Sequence, residues 1–256
     1  MTDAHCHVSC GDSSVRELLI GRDFFGIHPW EILDETTGTS RALVPDVPVV
    51  PGVPFLTALL ASLRPKLLAN PNAGVGEIGL DRLKVRDIPP LMREVFEAQL
   101  SLAVELGRPV VLHGAKCWGQ VVATVKRMMG GGLATRDTRQ AFLFHGFSRS
   151  DGLIPEIVKL NGFISVGPAI LNDHAVNYRE LVKKIPLDRL LVETDAVAEV
   201  RVPTRPPETD AMVGARVPTR PHIRDVLAKT ADILNLSSAE LERITDENAN
   251  RFLCVV

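Results

Sequence analysis

Six side chains able to bind a divalent cation, His5, His7, Glu77, His113, His145 and Asp195, stand at the ends of short runs that read as strands. Ala73-Gly74-Val75-Gly76 precedes Glu77, Pro109-Val110-Val111-Leu112 precedes His113, Ala141-Phe142-Leu143-Phe144 precedes His145, and Leu190-Leu191-Val192-Glu193-Thr194 precedes Asp195. The chemistry this set suits is two-metal hydrolysis: two divalent ions about 3.5–4 Å apart share a bridging hydroxide and clamp the attacking and leaving oxygens of a phosphoester. Residues i and i+2 of a strand face the same way, so His5 and His7 form a chelate while Cys6 between them turns outward toward the helices. Glu77 can bridge both ions with its two oxygens, His113 and His145 can complete the second ion, and Asp195 can bind the first and accept a proton from the bridging water. Glu77 and Asp195 are therefore the catalytic candidates. His28, in Gly26-Ile27-His28-Pro29, also follows a strand and is a candidate substrate contact, the alternative being a turn residue ahead of proline.

One histidine at a strand end is more often a satisfied polar residue than a ligand. That discount does not apply independently to each member of a set: the chain has seven histidines, and four of them share this context with two carboxylates. His174 and His222 lack it and read as surface residues. Four imidazoles suit Zn²⁺ or Mn²⁺, whereas Mg²⁺ prefers oxygen ligands and water. Histidine ligation also predicts loss of activity below about pH 6, where protons compete for the imidazoles.

The elements that must carry these residues alternate. Strands are expected at 2–7, 22–27, 73–78, 109–113, 141–145, 162–166 and 189–194, seven in all. Helices are expected at 13–21, 55–69, 91–106, 117–129, 150–160, 176–184, 222–235 and 237–252, with Ser237 as an N-cap and a Glu three residues on. Such alternation gives a parallel α/β architecture, and polar residues repeatedly placed after buried strands point to the C-terminal mouth of a (β/α)8 barrel. Glu77 to His113 is 36 residues, His113 to His145 is 32 and His145 to Asp195 is 50, intervals that fit one or two βα units.

At 256 residues, 45% hydrophobic and 23% charged, the chain has the size of a single barrel domain over residues 1–256. Its net charge of −2 gives no broad basic face for duplex binding. No apolar stretch reaches the roughly 18 residues of a membrane span, and the first strand leaves no room for a signal peptide. Cys6, Cys10, Cys117 and Cys254 form no CxxC pair, which fits a reducing compartment. A cytoplasmic enzyme is the expectation, with the nucleus open, no membrane partner and no obligate protein partner.

Other patterns carry less. Gly74-Val75-Gly76-Glu77-Ile78-Gly79 satisfies GxGxxG but lies within a strand rather than in a strand-to-helix turn, so it is not a dinucleotide fingerprint. Ser148 and Cys117 lack the setting of a nucleophile. Arg201-Val202-Pro203-Thr204-Arg205-Pro206 recurs as Arg216-Val217-Pro218-Thr219-Arg220-Pro221; its prolines predict a loop across the barrel mouth whose arginines could reach phosphates, against the alternative of a solvated insertion.

Taken in order, Asp3-Ala4-His5-Cys6-His7, Gly26-Ile27-His28-Pro29, Gly76-Glu77-Ile78-Gly79-Leu80-Asp81, Pro109 to His113, His145-Gly146-Phe147-Ser148 and Leu191 to Ala196 resemble the motifs of the TatD metal-dependent DNases. The resemblance runs nearly end to end. It implies a TIM-type barrel of the amidohydrolase superfamily, a two-metal phosphoesterase site, and Mg²⁺-supported deoxyribonuclease activity, often a 3′ to 5′ exonuclease with DNA ends or single strands as substrate. The alternatives are hydrolysis of an ester or amide at the same metals, as an amidohydrolase or deacylase, and a non-catalytic descendant. The chain departs from the pattern in having only 18 residues between His7 and Gly26, so one βα unit is expected to be shortened or missing. Arg82, Ala115 and Val197 stand where the family usually has an aromatic residue, an arginine and a proline.

Overall fold

The structure, a computed structural model, describes residues 1–32, 54–83, 85–130, 140–196 and 221–253. The Pro-rich segment before residue 54, Val197, Cys254 and the duplicated hexapeptides, apart from Pro221, lie outside the described residues.

Among the described residues, eight parallel strands form the frame: β1 (Thr2–Cys6), β2 (Arg16–Leu19), β3 (Phe24–Phe25), β4 (Gly74–Asp81), β5 (Val110–Ala115), β6 (Phe142–Phe144), β7 (Gly162–Val166) and β8 (Leu190–Val192). Strands β3 to β8 make one six-stranded sheet in sequence order and β1–β2 a two-stranded one. An Ile20–Phe24 bridge joins the two sheets on one side. On the other, the Asp195 amide donates to the His5 carbonyl (3.0 Å) and the His7 amide to the Ala196 carbonyl (2.8 Å). The ring is that of a TIM-type barrel.

The seven-strand expectation therefore falls one short, and the error lies at 13–21. That segment was expected to be helical, but Arg16–Leu19 is strand β2, paired with β1 from Thr2↔Arg16 to Cys6↔Leu19. A short run such as Val15-Arg16-Glu17-Leu18-Leu19-Ile20 fits helix and strand patterns alike, and pairing with β1 decides it. The shortened part of the chain keeps its strands and carries no helix between β1, β2 and β3.

From α1 to β8 the alternation holds, with α1 (Phe55–Ala69), α2 (Pro90–Leu106), α3 (Trp118–Met128), α4 (Ile154–Lys159) and α5 (Val176–Val182), and α6 (Ile223–Leu234) and α7 (Ser238–Phe252) follow β8. Helix α2 shows why: Pro90 starts it, buried Met92, Val95, Phe96, Gln99, Leu100 and Ala103 make one inward stripe, and Gly107 at φ 62° ends it.

The strands bury both faces, as parallel strands between helices and a barrel interior must. Val110 and Leu112, Phe142 and Phe144, Ile164 and Val166, and Leu190 and Val192 pack outward in the core shared with the helices. The residues between them, Val111, Leu143, Phe163 and Leu191, form an inner core with Phe24 and with Ala249 and Phe252 of α7. Phe252 stacks on Phe24 at 5.9 Å and meets Phe163 edge-on at 6.0 Å. Continuing each inward row by two residues reaches His113 after Val111, His145 after Leu143, and Glu193 then Asp195 after Leu191. The site is thus the polar end of the barrel's inner core.

Candidate metal centre

Glu77 is the hub. Its side chain is 3% exposed, and its two oxygens face different partners. Oε2 lies 3.4 Å from Nε2 of His5 and 3.4 Å from Nε2 of His7. Oε1 lies 2.5 Å from Nδ1 of His113, meets Nε2 of His145 more closely still, and is 3.5 Å from Nε2 of His28. Asp195 closes the other flank, 3.5 Å from His5 and 3.8 Å from His7. Its backbone has φ 48°, a conformation sparsely populated by residues other than glycine. All six residues singled out as ligands come together, and His28 joins them. His174 is exposed in a neighbouring groove, and His222 caps α6, its Nδ1 accepting from the Arg224 amide.

Three sets of donors lie within ligand-sharing distance: His5, His7 and Glu77; His5, His145 and Asp195; and His28, Glu77 and His113. The donor chemistry fits a metal. His5 is fully buried and neither of its ring nitrogens has a hydrogen-bond partner among the described residues, an arrangement that is costly unless a cation uses a lone pair.

His28 is not equivalent to the others. Its Nδ1 accepts the Trp30 amide N–H at 3.1 Å, so the neutral ring carries its proton on Nε2 and has no lone pair left for an ion. Burial holds its pKa below the ordinary histidine value, outweighing the attraction of Glu77, and so favours that neutral form. His28 presents an N–H donor to the centre, which suits a substrate contact.

The electrostatics of the cluster favour cations. Burial would raise the Glu77 carboxyl, but the charge on His145 and hydrogen bonds from His113, His145 and His28 hold it well below the usual range. Burial would lower His145, yet Glu77 and Glu193 drive it well above 6.5. His113 is raised in the same way by Asp81 and Glu77, and His5 by Asp195 and Glu77, in each case against burial. Asp195 is lowered by His5 and His145, against the partial desolvation of its carboxylate.

Four supporting residues were not recognised from sequence. Asp81, fully buried, accepts from Nε2 of His113 at 2.7 Å, which leaves Nδ1 turned to Glu77. Glu193 lies 3.8 Å from Nδ1 of His145, accepts from the Gly146 amide at 2.7 Å and takes the Ser165 hydroxyl. Gln99 reaches from α2 to hold both backbone groups of Ile27, accepting from its amide at 2.7 Å and donating to its carbonyl at 3.1 Å. Asp3 accepts from the Thr194 amide (2.9 Å) and hydroxyl (2.6 Å), tying β1 to the end of β8. For the first two a signal existed: Asp81 is four residues past Glu77 and Glu193 two before Asp195, even spacings that place strand residues on one face. Gly79, at φ 150°, lets β4 run against β5 here, since a Cβ at that position would overlap the His113 carbonyl.

Beside Asp195 opens a groove of about 970 Å³, lined by Gly146, Arg149, Tyr178, Lys184, Glu193 and Asp195 among others. Lys184 is paired with Asp151 across it, whereas Arg149 has no ion-pair partner among the described residues.

The family described as TatD related DNase matches this chain over residues 21–254. An uncharacterized metal-dependent hydrolase of Bacillus subtilis is 28% identical over 181 residues, 69% of this chain and 63% of the relative. A 3′-5′ ssDNA/RNA exonuclease TatD of Edwardsiella piscicida is 29% identical over 137 residues, 53% of this chain and 50% of the relative. This chain therefore spans about half to just under two thirds of the length of these two curated relatives. Among solved structures, the TatD homologue YjjV of Escherichia coli superposes with a TM-score of 0.58 at 24% identity, covering 78% of this chain and 71% of that one; it supports the barrel-type fold.

Proposed function

The chain belongs to the TatD related DNase family, and on that premise we propose that it is a metal-dependent nuclease that trims DNA from the 3′ end. The observation that carries this reading is the convergence of His5, His7, His113, His145 and Asp195 on the two oxygens of Glu77 at the barrel mouth. We assign these six residues to two divalent ions, Mg²⁺ in the active enzyme, with Zn²⁺ or Mn²⁺ compatible with the imidazoles. When bound, such ions polarise a phosphoryl oxygen and lower the pKa of water to give a nucleophile at neutral pH.

The chain's own groups do the rest. The Glu77 carboxylate, held ionised by three histidines, binds both halves of the centre together. Asp195, ionised and 45% exposed on its side chain, takes the proton of the attacking water. The Nε2–H of His28 donates to a phosphate oxygen. Asp81 fixes the tautomer of His113, so that the nitrogen facing Glu77 carries the free lone pair, and Glu193 stands 3.8 Å behind Nδ1 of His145. The groove beside Asp195 takes the adjoining nucleotides, with Arg149 as a phosphate contact. Three free cysteines, Cys6, Cys10 and Cys117, suit a reducing compartment, and we place the protein in the cytoplasm.

The test is release of nucleotides from 3′-labelled single-stranded DNA with Mg²⁺, using wild type, chelator-treated protein and Glu77→Ala. Release that is lost in both controls supports the reading. A folded, metal-loaded wild type that releases nothing overturns it in favour of ester or amide hydrolysis at the same centre.

A further inference from the structure

We propose that Trp30 is the base-stacking platform of this site, its part-exposed indole receiving the terminal nucleobase of the strand being cut. The inference rests on the nuclease reading above and names how that substrate is held. Trp30 is 40% exposed and is the one aromatic side chain among the described residues that stands open to solvent at this level. The chain has two tryptophans and one tyrosine. Trp118 is buried against Phe144 and Phe147, and Tyr178 spends its hydroxyl on the Gly167 amide.

The indole is placed, not loose. Its ring meets His28 at 5.3 Å and 87° and His113 at 6.5 Å and 71°, and its side-chain N–H is turned to Asp81. The same carboxylate accepts from the amide of Leu83, which is 53% exposed. Two of the six large hydrophobic residues exposed among the described residues are thus anchored on one buried carboxylate, and that carboxylate also orients His113. An apolar lip held rigidly against a centre that would take phosphate once metal-loaded matches a nucleotide, with its flat apolar base and charged phosphate. Stacking needs only the π-face that every base has, so this platform accepts any terminal base, as trimming without sequence preference requires. It lies on the His28 side of the centre, whereas the groove begins at Asp195.

Trp118 is buried, so fluorescence of the metal-loaded protein reports ligands at Trp30. We expect a deoxynucleoside 5′-monophosphate to quench it saturably and deoxyribose 5-phosphate not to. We expect Trp30→Ala to remove the quenching and to raise KM for a single-stranded oligonucleotide by about 5–150-fold, the equivalent of one lost base stack, with a smaller change in kcat. Trp30→Phe should recover most of the KM, and metal content in both variants should match wild type. Equal quenching by the baseless sugar phosphate, or an unchanged KM in Trp30→Ala, overturns the platform while oligonucleotide hydrolysis by wild type leaves the nuclease reading standing. A metal-loaded wild type that neither binds nor cuts nucleotides overturns both. Should Trp30→Ala fail to fold, the wild-type comparison of nucleotide with sugar phosphate decides alone.

Discussion

The barrel has a lean half and a clad half. Strands β1, β2 and β3 are carried by the first 25 residues with no helix between them, whereas β4 to β8 are spread over Gly74–Val192 with helices between successive strands. Both halves supply the centre: His5, His7 and His28 come from the lean side, Glu77, His113 and His145 from the clad side, and Asp195 from the seam. The support behind them differs. On the clad side Nε2 of His113 is hydrogen-bonded to Asp81 while Nδ1 of His145 lies 3.8 Å from Glu193, outside hydrogen-bond range; on the lean side neither ring nitrogen of His5 has a hydrogen-bond partner among the described residues. The lean half borrows its precision, from Gln99 of α2 for the Ile27 backbone and from Glu77 for His5 and His7. The carboxylates behind His113 and His145 come from β4 and the end of β8, and Gln99 of α2, a helix-borne support, reaches across to the lean half.

The largest effect should come from the residue both halves share. Glu77→Gln removes the charge that faces His5 and His7 on one oxygen and His113 and His145 on the other. Metal content should collapse and nucleotide release should fall on the order of 10³-fold or more, measured by elemental analysis and end-labelled substrate. Retention of full metal content by this variant would show that the halves bind their ions independently.

The seam gives the next largest effect. Burial raises the Asp3 carboxyl from 3.8 to about 6, against the hydrogen bonds it accepts from Thr194. A folded-state value above the unfolded one means that its stabilising contribution is complete below about pH 3.8 and lost as pH rises through about 6. Asp3→Asn keeps an acceptor for the Thr194 amide and cannot ionise. In metal-free protein it should gain on wild type between pH 5 and pH 8, toward a limit on the order of 3 kcal/mol, read from urea melts at the two pH values. A difference between the two proteins that does not change with pH would mean that Asp3 is not the titrating clasp of this seam.

The buttresses come third. Asp81→Asn and Glu193→Gln should each weaken metal binding by about 10–100-fold with the fold intact, measured by chelator competition. The asymmetry between the halves would be broken if these carboxylates could be removed without cost.

What sequence reading recovers follows the same division. Outside the lean half, 55–69 is α1 and 162–166 is β7 as expected, because the first run is long enough for a helix, with Leu59, Leu63 and Leu67 buried four apart, and the second is a short, fully buried run of strand length. In the lean half the expected helix at 13–21 is β2, because six residues are too few to separate the two periods and the deciding contact, Thr2↔Arg16, is tertiary. The six candidate ligands were legible because each stands in or just after a buried run and its chemistry is rare in cores, although β4 and β5 continue past Glu77 and His113 to Asp81 and Ala115. Gln99 was not: a glutamine on the buried stripe of α2 has a role only once Ile27, 72 residues away in sequence, is beside it.

The smallest effect tests whether the lean half leans on the C-terminal helix. Helix α7 carries Phe252, which stacks on Phe24 of β3, and Asn248, which donates to the carbonyls of Leu187 and Leu190 at the start of β8. Its first turn is capped by Ser237, whose hydroxyl accepts from the Glu240 amide at 3.2 Å. Ser237→Ala leaves that amide without its cap and should cost about 1 kcal/mol of stability, with metal content and kcat unchanged because the cap lies outside the centre. Amide exchange should then quicken in β1 and β3 before it quickens in β5 and β6, since the first pair packs on α7 while the second is covered by α2 to α4. Uniform quickening across both halves would mean that the barrel opens as one unit, and that its thin wall is as firmly held as its thick one.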